Sequence, residues 1–307
     1  MSTLNKSELA IELPIIISKI EKRFRIKIVM VTEIGSRAHG LVTATSDYDI
    51  RFIYINHSTY YLGIVTDTQT KDAITHAQIK RSDVLDNVPM GLATKLDIQG
   101  WELRKMAGKI ASSNITPLEW INTKTKYLDL AIDPDPSPYC HWTTKFSEFL
   151  RGQLVEHLDV RTLLDGYSGQ AGTFLKELRT PGINPIKPLM GMVHLWHCYN
   201  WVITHKDDSS SLSTIPLDHL KLMSADINIY RTLGPKGCDY LLELIMLREN
   251  NTAVCLNKHD AARAVYNLMH NWVMTATMRS SAIAPTKNIK NNYNFSLAIT
   301  EIIKRFI

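Results

Sequence analysis

The sequence has few cysteines and no long apolar run. Its 307 residues include four cysteines without a CxxC pair, at Cys140, Cys198, Cys238 and Cys255. This pattern argues against a zinc ribbon or a disulfide framework and favours a reducing compartment. No basic segment followed by a clean apolar stretch opens the chain, and the most apolar early run, residues 13–17, is far too short to cross a bilayer. We therefore expect a cytoplasmic protein with no membrane partner.

Three common enzyme signatures are also missing. The chain contains no GxGxxG pattern, no GK[ST] phosphate loop and no HExxH segment. Their absence argues against a nicotinamide dehydrogenase, a P-loop kinase and a zinc metalloprotease. The composition, 45% hydrophobic and 21% charged, excludes a disordered or collagen-like chain. The net charge of +5 at pH 7 is compatible with a nucleotide or nucleic-acid partner but does not establish one.

The hydrophobic pattern of the first 132 residues indicates an α/β domain. Residues 7–24 predict an amphipathic helix, and the β-branched residues 26–34 and 47–56 predict two strands. Residues 92–98 predict a third strand, followed by helices over residues 99–111 and 117–122. This domain is expected to span residues 1–132.

A change of pattern follows the proline-rich run DPDPSP at residues 133–138. Each X-Pro step disfavours helix, so this run predicts a domain boundary. The segments after it have helical spacing; they are residues 141–160, 170–178, 187–205, 217–225, 237–249 and 260–278. Residues 209–213 and 288–294 are expected to be polar connectors. Residues 139–307 are therefore expected to form a mainly α-helical domain.

One turn and the strand after it contain most of the chemically informative residues. The turn Gly35–Gly40 (GSRAHG) separates the first two predicted strands, and Asp47–Asp49 (DYD) opens the second. Asp47 and Asp49 project from one face of that strand, where two carboxylates repel unless a cation lies between them. Such oxygen ligands suit Mg²⁺ or Mn²⁺, and a Gly-Ser turn can hold a phosphate through its backbone donors. Each half is common alone; together they predict phosphoryl or nucleotidyl transfer.

The strings GSRAHG and SDYDIR resemble the GS…DxD signature of the polymerase-beta-type nucleotidyltransferase superfamily. Within it they most closely resemble the RlaP-like or YcgL-like predicted nucleotidyltransferases, which are linked to RNA repair. Residues 96–120, with Asp97, Asn114 and LEW at 118–120, resemble the same branch. The likeness covers roughly the first 122 residues, and beyond residue 133 it rests on Tyr167, Lys187 and the helical character. It implies an α+β fold, a polymerase-beta-like mixed sheet with flanking helices followed by the helical domain.

The resemblance also implies a two-metal nucleotidyltransferase. Asp47, Asp49 and Asp97 would hold two Mg²⁺ or Mn²⁺ ions, and Gly35 and Ser36 would bind the β- and γ-phosphates of an NTP, ATP among the candidates. An NMP would pass to an acceptor hydroxyl, with release of pyrophosphate. The expected acceptor is an RNA end. A protein hydroxyl, as in antitoxin-type nucleotidyltransferases, and a catalytically inactive nucleotide- or RNA-binding module remain open.

Several of these side chains also have a structural interpretation. Arg37 is expected near the phosphates, or in a surface salt bridge, and His39 contacts phosphate or acceptor, or fixes the turn. Arg51 shares the face of Asp49 and either binds nucleotide or orients the carboxylates. Lys187 would reach a phosphate across the domain cleft. Asp97 is alternatively an edge-strand carboxylate or a helix cap, with Asp83 and Asp86 as competing carboxylates.

The remaining polar residues favour structural roles. Asn114 and Glu119 are expected to cap a helix and to form an ion pair rather than to contact nucleotide. His194, His197 and Cys198 have a spacing that suits a metal, but the aromatic residues Trp196, Tyr199 and Trp201 beside them indicate a core helix. Tyr48 and Ile50 are expected in the core.

Overall fold

The first half of the chain forms a β-sheet with helices between its strands. The computed structural model describes residues 6–62, 72–132, 144–219, 221–222, 227–250, 252–284 and 292–306. In chain order the first elements are α1 (Lys6–Phe24), β1 (Ile26–Ile34), α2 (Gly35–Ala38), β2 (Tyr48–Asn56), α3 (Ser58–Leu62), β3 (Ala73–Ile74), α4 (His76–Lys80), α5 (Met90–Ala93), β4 (Leu96–Glu102), α6 (Leu103–Ala111), α7 (Ile115–Asn122), β5 (Lys126–Asp129) and β6 (Ala131–Ile132).

The second half is mainly helical, as the apolar spacing predicts. Its elements are β7 (Thr144–Lys145), α8 (Phe146–His157), α9 (Val160–Glu177), α10 (Ile186–Thr204), α11 (Ser209–Ser213), α12 (Ile227–Glu249), α13 (Asp260–Ser281) and α14 (Asn292–Phe306). Short 3₁₀ turns lie at Asp83–Leu85 and Leu256–Lys258. No helix in the described part of the chain is both long enough and apolar enough to cross a membrane.

The main sheet is mixed, as the resemblance implies. Its strand order is β3-β4-β2-β1-β5, with β2 and β4 parallel and the other neighbours antiparallel. The β-branched run of β1 is buried at every position except Lys27, which suits a central strand. In the parallel register Asp49 lies directly opposite Asp97, and in the antiparallel register Ile34 lies opposite Asp49. The end of β1 and two carboxylates therefore meet at one edge of the sheet.

The sheet separates two groups of buried apolar side chains. On one face, Leu13, Ile16 and Ile20 of α1 pack against the sheet at helical spacing. On the other face, Met30 and Ile53 belong to a cluster that continues through α6 to α14. This second core runs without a break from the sheet into the helical half. The expected boundary at residues 133–138 lies outside the described residues, so the division into two domains stays a prediction.

The region around β4 differs from the sequence-based expectation. Residues 90–93 form the short helix α5 instead of the start of a strand, and β4 continues to Glu102, where a helix is predicted from residue 99. The predicted strand and helix are both present, but each begins four residues later than predicted. Because β4 pairs with β2 on one side and β3 on the other, ladder hydrogen bonds outweigh the local helical spacing. The next helix begins only at Leu103, where Glu102 Oε2 accepts a hydrogen bond from the Arg104 N–H at 2.6 Å.

Smaller differences lie at the ends of other elements. Asp47 precedes β2 by one residue, and the helix predicted over residues 141–160 begins at Phe146 and ends at His157. The next helix, α9, begins ten residues earlier than predicted because Asp159 Oδ1 caps it by accepting from the Thr162 N–H at 2.8 Å. The connector predicted at residues 209–213 is the helix α11, and residues 292–294 already belong to α14. The segment 217–225 is described only in part.

Candidate active site

The turn after β1 has a geometry that only glycine supports. Gly35 has φ +70°, and a Cβ at this position would overlap the Asp49 carboxylate, 2.9 Å from its Cγ. The chain then makes a single helical turn, in which the His39 N–H donates to the Gly35 carbonyl at 3.0 Å. The Leu41 N–H donates to the Ser36 carbonyl at 2.8 Å. Gly35 therefore brings the backbone of the turn against Asp49.

Glu119 of α7 fastens this turn from the side. Its Oε1 accepts a hydrogen bond from the Gly35 N–H at 3.3 Å and lies 3.0 Å from His39 Nε2. Burial alone would raise the pKa of Glu119, but the hydrogen bond and charge of His39 hold that pKa below its ordinary value. The structural role expected for Glu119 is supported, with the protonated form of His39 as its ion-pair partner. The helix cap expected for Asn114 is confirmed, because its Oδ1 accepts from the Thr116 N–H at 3.0 Å.

Of the three predicted metal ligands, Asp47 and Asp49 line the cavity described below, whereas Asp97 lies beside Asp49 on the neighbouring strand and does not line that cavity. Asp49 and Asp97 are register partners on β2 and β4, and Asp47 immediately precedes β2. The pKa of Asp49 is raised, first by burial and then by the neighbouring charges of Asp97 and Asp47, while Arg51 lowers it. Carboxylates that repel one another in this way suit a cation with oxygen ligands. Asp47 and Asp49 therefore fit a divalent metal ion by the chemistry of their donor atoms.

Arg51 lies between the two strand carboxylates. It is 7% exposed, and its Nη2 lies 2.9 Å from Asp97 Oδ2 and 3.6 Å from Asp49 Oδ1. Its Nη1 donates to the carbonyls of Ile50 and Asp97, both at 3.0 Å. These are the contacts of a residue that orients carboxylates, and Arg51 does not line the cavity described below. Within the described ranges, no three His, Cys, Asp or Glu side chains form a ready-made metal site.

Arg37 ties the turn to the segment before β2. Its Nε lies 3.4 Å from Glu33 Oε1 and donates to the Asp47 carbonyl at 3.3 Å. Its guanidinium lies 4.0 Å from the centroid of the Tyr48 ring. Tyr48 is buried, as is Ile50, so their expected core positions are confirmed. Arg37 does not line the cavity, and its contact with phosphate stays a prediction.

A cavity of about 360 Å³ lies over the turn and the first two aspartates. Gly35, Ser36, His39, Asp47 and Asp49 form one wall. Lys187 at the start of α10 also lines this cavity, so the structure brings it to the predicted site. The remaining lining is mixed, with hydroxyl groups and apolar side chains at Leu41, Thr43, Thr45, Ser46, Phe174, Ile186, Met190 and Leu247.

Asn184 and Arg248 are among the polar cavity residues that are missing from the sequence-based prediction of the site. Asn184 precedes α10, and Arg248 lies in the last turn of α12. The Arg248 Nε donates to the Leu41 carbonyl at 2.9 Å, and burial lowers the pKa of Arg248. A basic residue in the last turn of a helix usually reflects the helix dipole, so its spacing does not indicate a site. Only the fold brings Arg248 to the turn, 207 residues away in sequence.

The histidines of α10 are part of the core. His194, His197 and Cys198 are all buried, and His194 stacks on His39 with 4.0 Å between ring centroids. Burial lowers the pKa of His194, and it lowers the pKa of His219 to about 3. These two histidines are therefore neutral at pH 7. This burial confirms the predicted core helix, and His194 also lines the cavity.

The competing carboxylates lie elsewhere. Asp83 pairs with Arg23 on the surface, with 3.6 Å between Oδ1 and Nε, and Asp86 is exposed at the end of the 3₁₀ turn. Neither lines the cavity.

The chain is similar to known proteins over much of its length. A family model described as "RlaP: RNA repair pathway DNA polymerase beta family" matches residues 15–209. The "Uncharacterized protein YcgL" of Bacillus subtilis (strain 168) is 34% identical over 113 residues. That match covers 37% of this chain and 37% of the relative, so it spans little more than a third of either protein. The chain belongs to the RNA repair pathway DNA polymerase beta family, a family of polymerase-beta-type nucleotidyltransferases.

Proposed function

We propose that this protein is a Mg²⁺-dependent nucleotidyltransferase that transfers an NMP from an NTP to the hydroxyl of an RNA end. The observation that carries the proposal is the cavity, in which two aspartates and the Gly-Ser turn face Lys187 and Arg248. The family supports the transferase chemistry and the link to RNA repair. The metal, the NTP and the acceptor are the proposal's own additions.

The cationic and the anionic residues of the cavity have different proposed roles. Lys187 and Arg248 are cations that would bind the triphosphate, and the Ser36 hydroxyl and N–H would contact its phosphates. Asp47 and Asp49, with Asp97 beside them, would hold Mg²⁺. When bound, Mg²⁺ supplies charge neutralisation at the leaving pyrophosphate and lowers the pKa of the acceptor hydroxyl.

The transfer forms one P–O bond and breaks another. The acceptor hydroxyl gives up its proton to water or to a carboxylate of the site, and its oxygen bonds to the α-phosphorus of the NTP. The bond from that phosphorus to the α–β bridging oxygen breaks, so pyrophosphate leaves with the electron pair. Arg51 orients the Asp97 carboxylate, and Glu119 holds the turn through the Gly35 N–H and His39. Arg51 and Glu119 are therefore positioning residues, because neither lines the cavity in which the triphosphate would bind.

The first experiment is label transfer with purified protein, Mg²⁺ or Mn²⁺, each α-labelled NTP and cellular RNA. Asp47→Asn and Asp49→Asn remove a carboxylate at constant size, and Asp86→Asn makes the same change at an exposed position outside the cavity. We expect an RNase-sensitive labelled product with the parent and with Asp86→Asn, and a loss of at least 100-fold in the two site variants.

Two outcomes would contradict the proposal. Label found only in protease-sensitive material would identify a protein hydroxyl as the acceptor. Nucleotide binding without any transfer, unaltered by Asp47→Asn, would identify a catalytically inactive binding module.

A further inference from the structure

A second cavity lies beside the catalytic turn, on the other side of α2. It has a volume of about 260 Å³ and is lined by Ala38, Asn122, Lys124, Arg151, Asp218 and Lys221, with residues 214–217 completing the wall. Three of these side chains are cationic and one is anionic. We call this space the basic cavity.

Two lysines, Lys124 and Lys221, line the same basic cavity. The Lys221 ammonium, by hydrogen-bonding contact and by like charge, lowers the pKa of Lys124, although the Lys124 side chain is 69% exposed. Exposed lysines are flexible and ordinarily separate to avoid such repulsion. The backbone here brings their side chains to one opening, where an anion would relieve the repulsion.

The other polar groups of the cavity are held by the protein. Arg151 Nε donates to Asn122 Oδ1 at 3.4 Å, and Asn122 Nδ2 donates to the Ser213 carbonyl at 2.8 Å. Asp218 Oδ1 accepts from the Lys221 N–H at 3.2 Å, and its Oδ2 lies 4.0 Å from Lys124 Nζ. One carboxylate thus faces three cations, and the cavity keeps an excess of positive charge.

The basic cavity and the catalytic cavity share one structural element. Gly35 and Ser36 at the start of α2 line the catalytic cavity, and Ala38 at its end lines the basic cavity. Four helical residues span only about 5 Å along the axis. A chain of phosphates that ends at the aspartates would therefore pass near Lys124 and Lys221.

We propose that the basic cavity binds phosphate groups of the acceptor RNA strand. The proposal rests on the proposed function for the nature of the acceptor. The cations of the basic cavity come from three separate parts of the chain: Lys124 precedes β5, Arg151 lies in α8, and Lys221 follows residue 217. Such a spread suits the repeated charges of a polynucleotide backbone, which basic side chains bind without reading its sequence.

The test measures RNA binding without NTP or metal. A fluorescein-labelled single-stranded RNA is titrated with the parent, with Lys124→Gln/Lys221→Gln, and with the control Lys206→Gln/Lys258→Gln. The control removes the same charge at exposed positions that line neither cavity. We expect roughly tenfold weaker binding for the first variant near physiological salt. The slope of log K against log salt should fall by about 1.4, since each phosphate contact of a single strand contributes about 0.7.

One further double variant and one assay separate the outcomes. Lys124→Arg/Lys221→Arg keeps the charge and is expected to bind RNA as the parent does. Equal RNA affinity and salt slope in the Gln double variant and the control would overturn the proposal, and that result is also expected if an acidic protein is the true partner. Label transfer in the same preparations is a separate readout. If the parent transfers label but the Gln double variant and the control bind RNA equally, only the role of the basic cavity is refuted. If the Gln double variant binds RNA more weakly but the parent transfers no label, only the proposed function is refuted.

Discussion

Replacing Gly35 by alanine tests the central geometric claim. With φ +70°, an alanine at this position adopts the left-handed region at a cost of about 1–2 kcal/mol. Its Cβ would lie 2.9 Å from Asp49 Cγ, whereas carbon atoms pack at about 3.5–4.0 Å, so the carboxylate must move by on the order of 1 Å. Because a shift of that size can cost about 100-fold in rate, we expect at least that loss of transfer activity.

Gly182 provides a matched control. It has φ +83°, and no atom lies within 4 Å of the position that its Cβ would take. Gly182→Ala therefore introduces comparable backbone strain without a clash and outside the cavity. Gly182→Ala should lose about 1–2 kcal/mol in denaturant unfolding, and Gly35→Ala should lose at least as much because its Cβ also clashes with Asp49. Only Gly35→Ala should lose transfer in the labelled-NTP assay. Parent-like transfer by Gly35→Ala would refute the argument that Gly35 exists to accommodate Asp49.

Three other changes have expected outcomes that follow from charges in the site. Asp49→Asn should abolish transfer yet raise the thermal midpoint at pH 7. The reason is that the raised pKa of Asp49 makes its ionised form destabilising, a cost relieved as the pH falls; an unaltered or lower midpoint would contradict this. Glu119→Gln should lower stability near pH 7. Since the folded-state pKa of Glu119 is lowered, its contribution is present above pH 4.5 and lost as the pH falls through the folded pKa, so unfolding curves of parent and variant should converge in acid. Lys187→Gln should raise the KM for NTP about tenfold, measured at saturating RNA, and an unaltered KM would remove Lys187 from the triphosphate site.

Local parts of the fold are predictable from the sequence because neighbouring residues determine them. Strand β1 ends at Ile34, as its β-branched run predicts. The glycine-bounded turn follows it, and Asp47 and Asp49 lie at the start of β2, also as predicted. Asp49 and Asp97 are register partners although they lie 48 positions apart in sequence. Before the register of β2 and β4 is known, only the resemblance indicates that they are neighbours. The exact extent of β4 depends on two partner strands, which local spacing does not reveal.

Other parts of the site depend on tertiary structure. Lys187 is identified by its place between two prolines and by resemblance, but Arg248 carries no signal of its own in the last turn of α12. The basic cavity is likewise invisible in sequence, because Lys124, Arg151 and Lys221 are far apart along the chain. The sequence-based alternatives for Arg51 differ only in where its guanidinium points, and the neighbouring strand determines that direction.

The backbone of the catalytic turn is tied to segments far along the chain. The His219 N–H donates to the His39 carbonyl at 2.9 Å, and Arg248 Nε donates to the Leu41 carbonyl. Both donors lie beyond the residues 15–209 that the family model matches. Contacts across such long stretches of chain form late in folding, since they require large loops to close first. We therefore expect the turn to reach its native shape after the sheet beneath it. A chain cut at residue 209 should fold its strands and keep the contacts of Glu119 with the turn, but it would lack the two hydrogen bonds from His219 and Arg248.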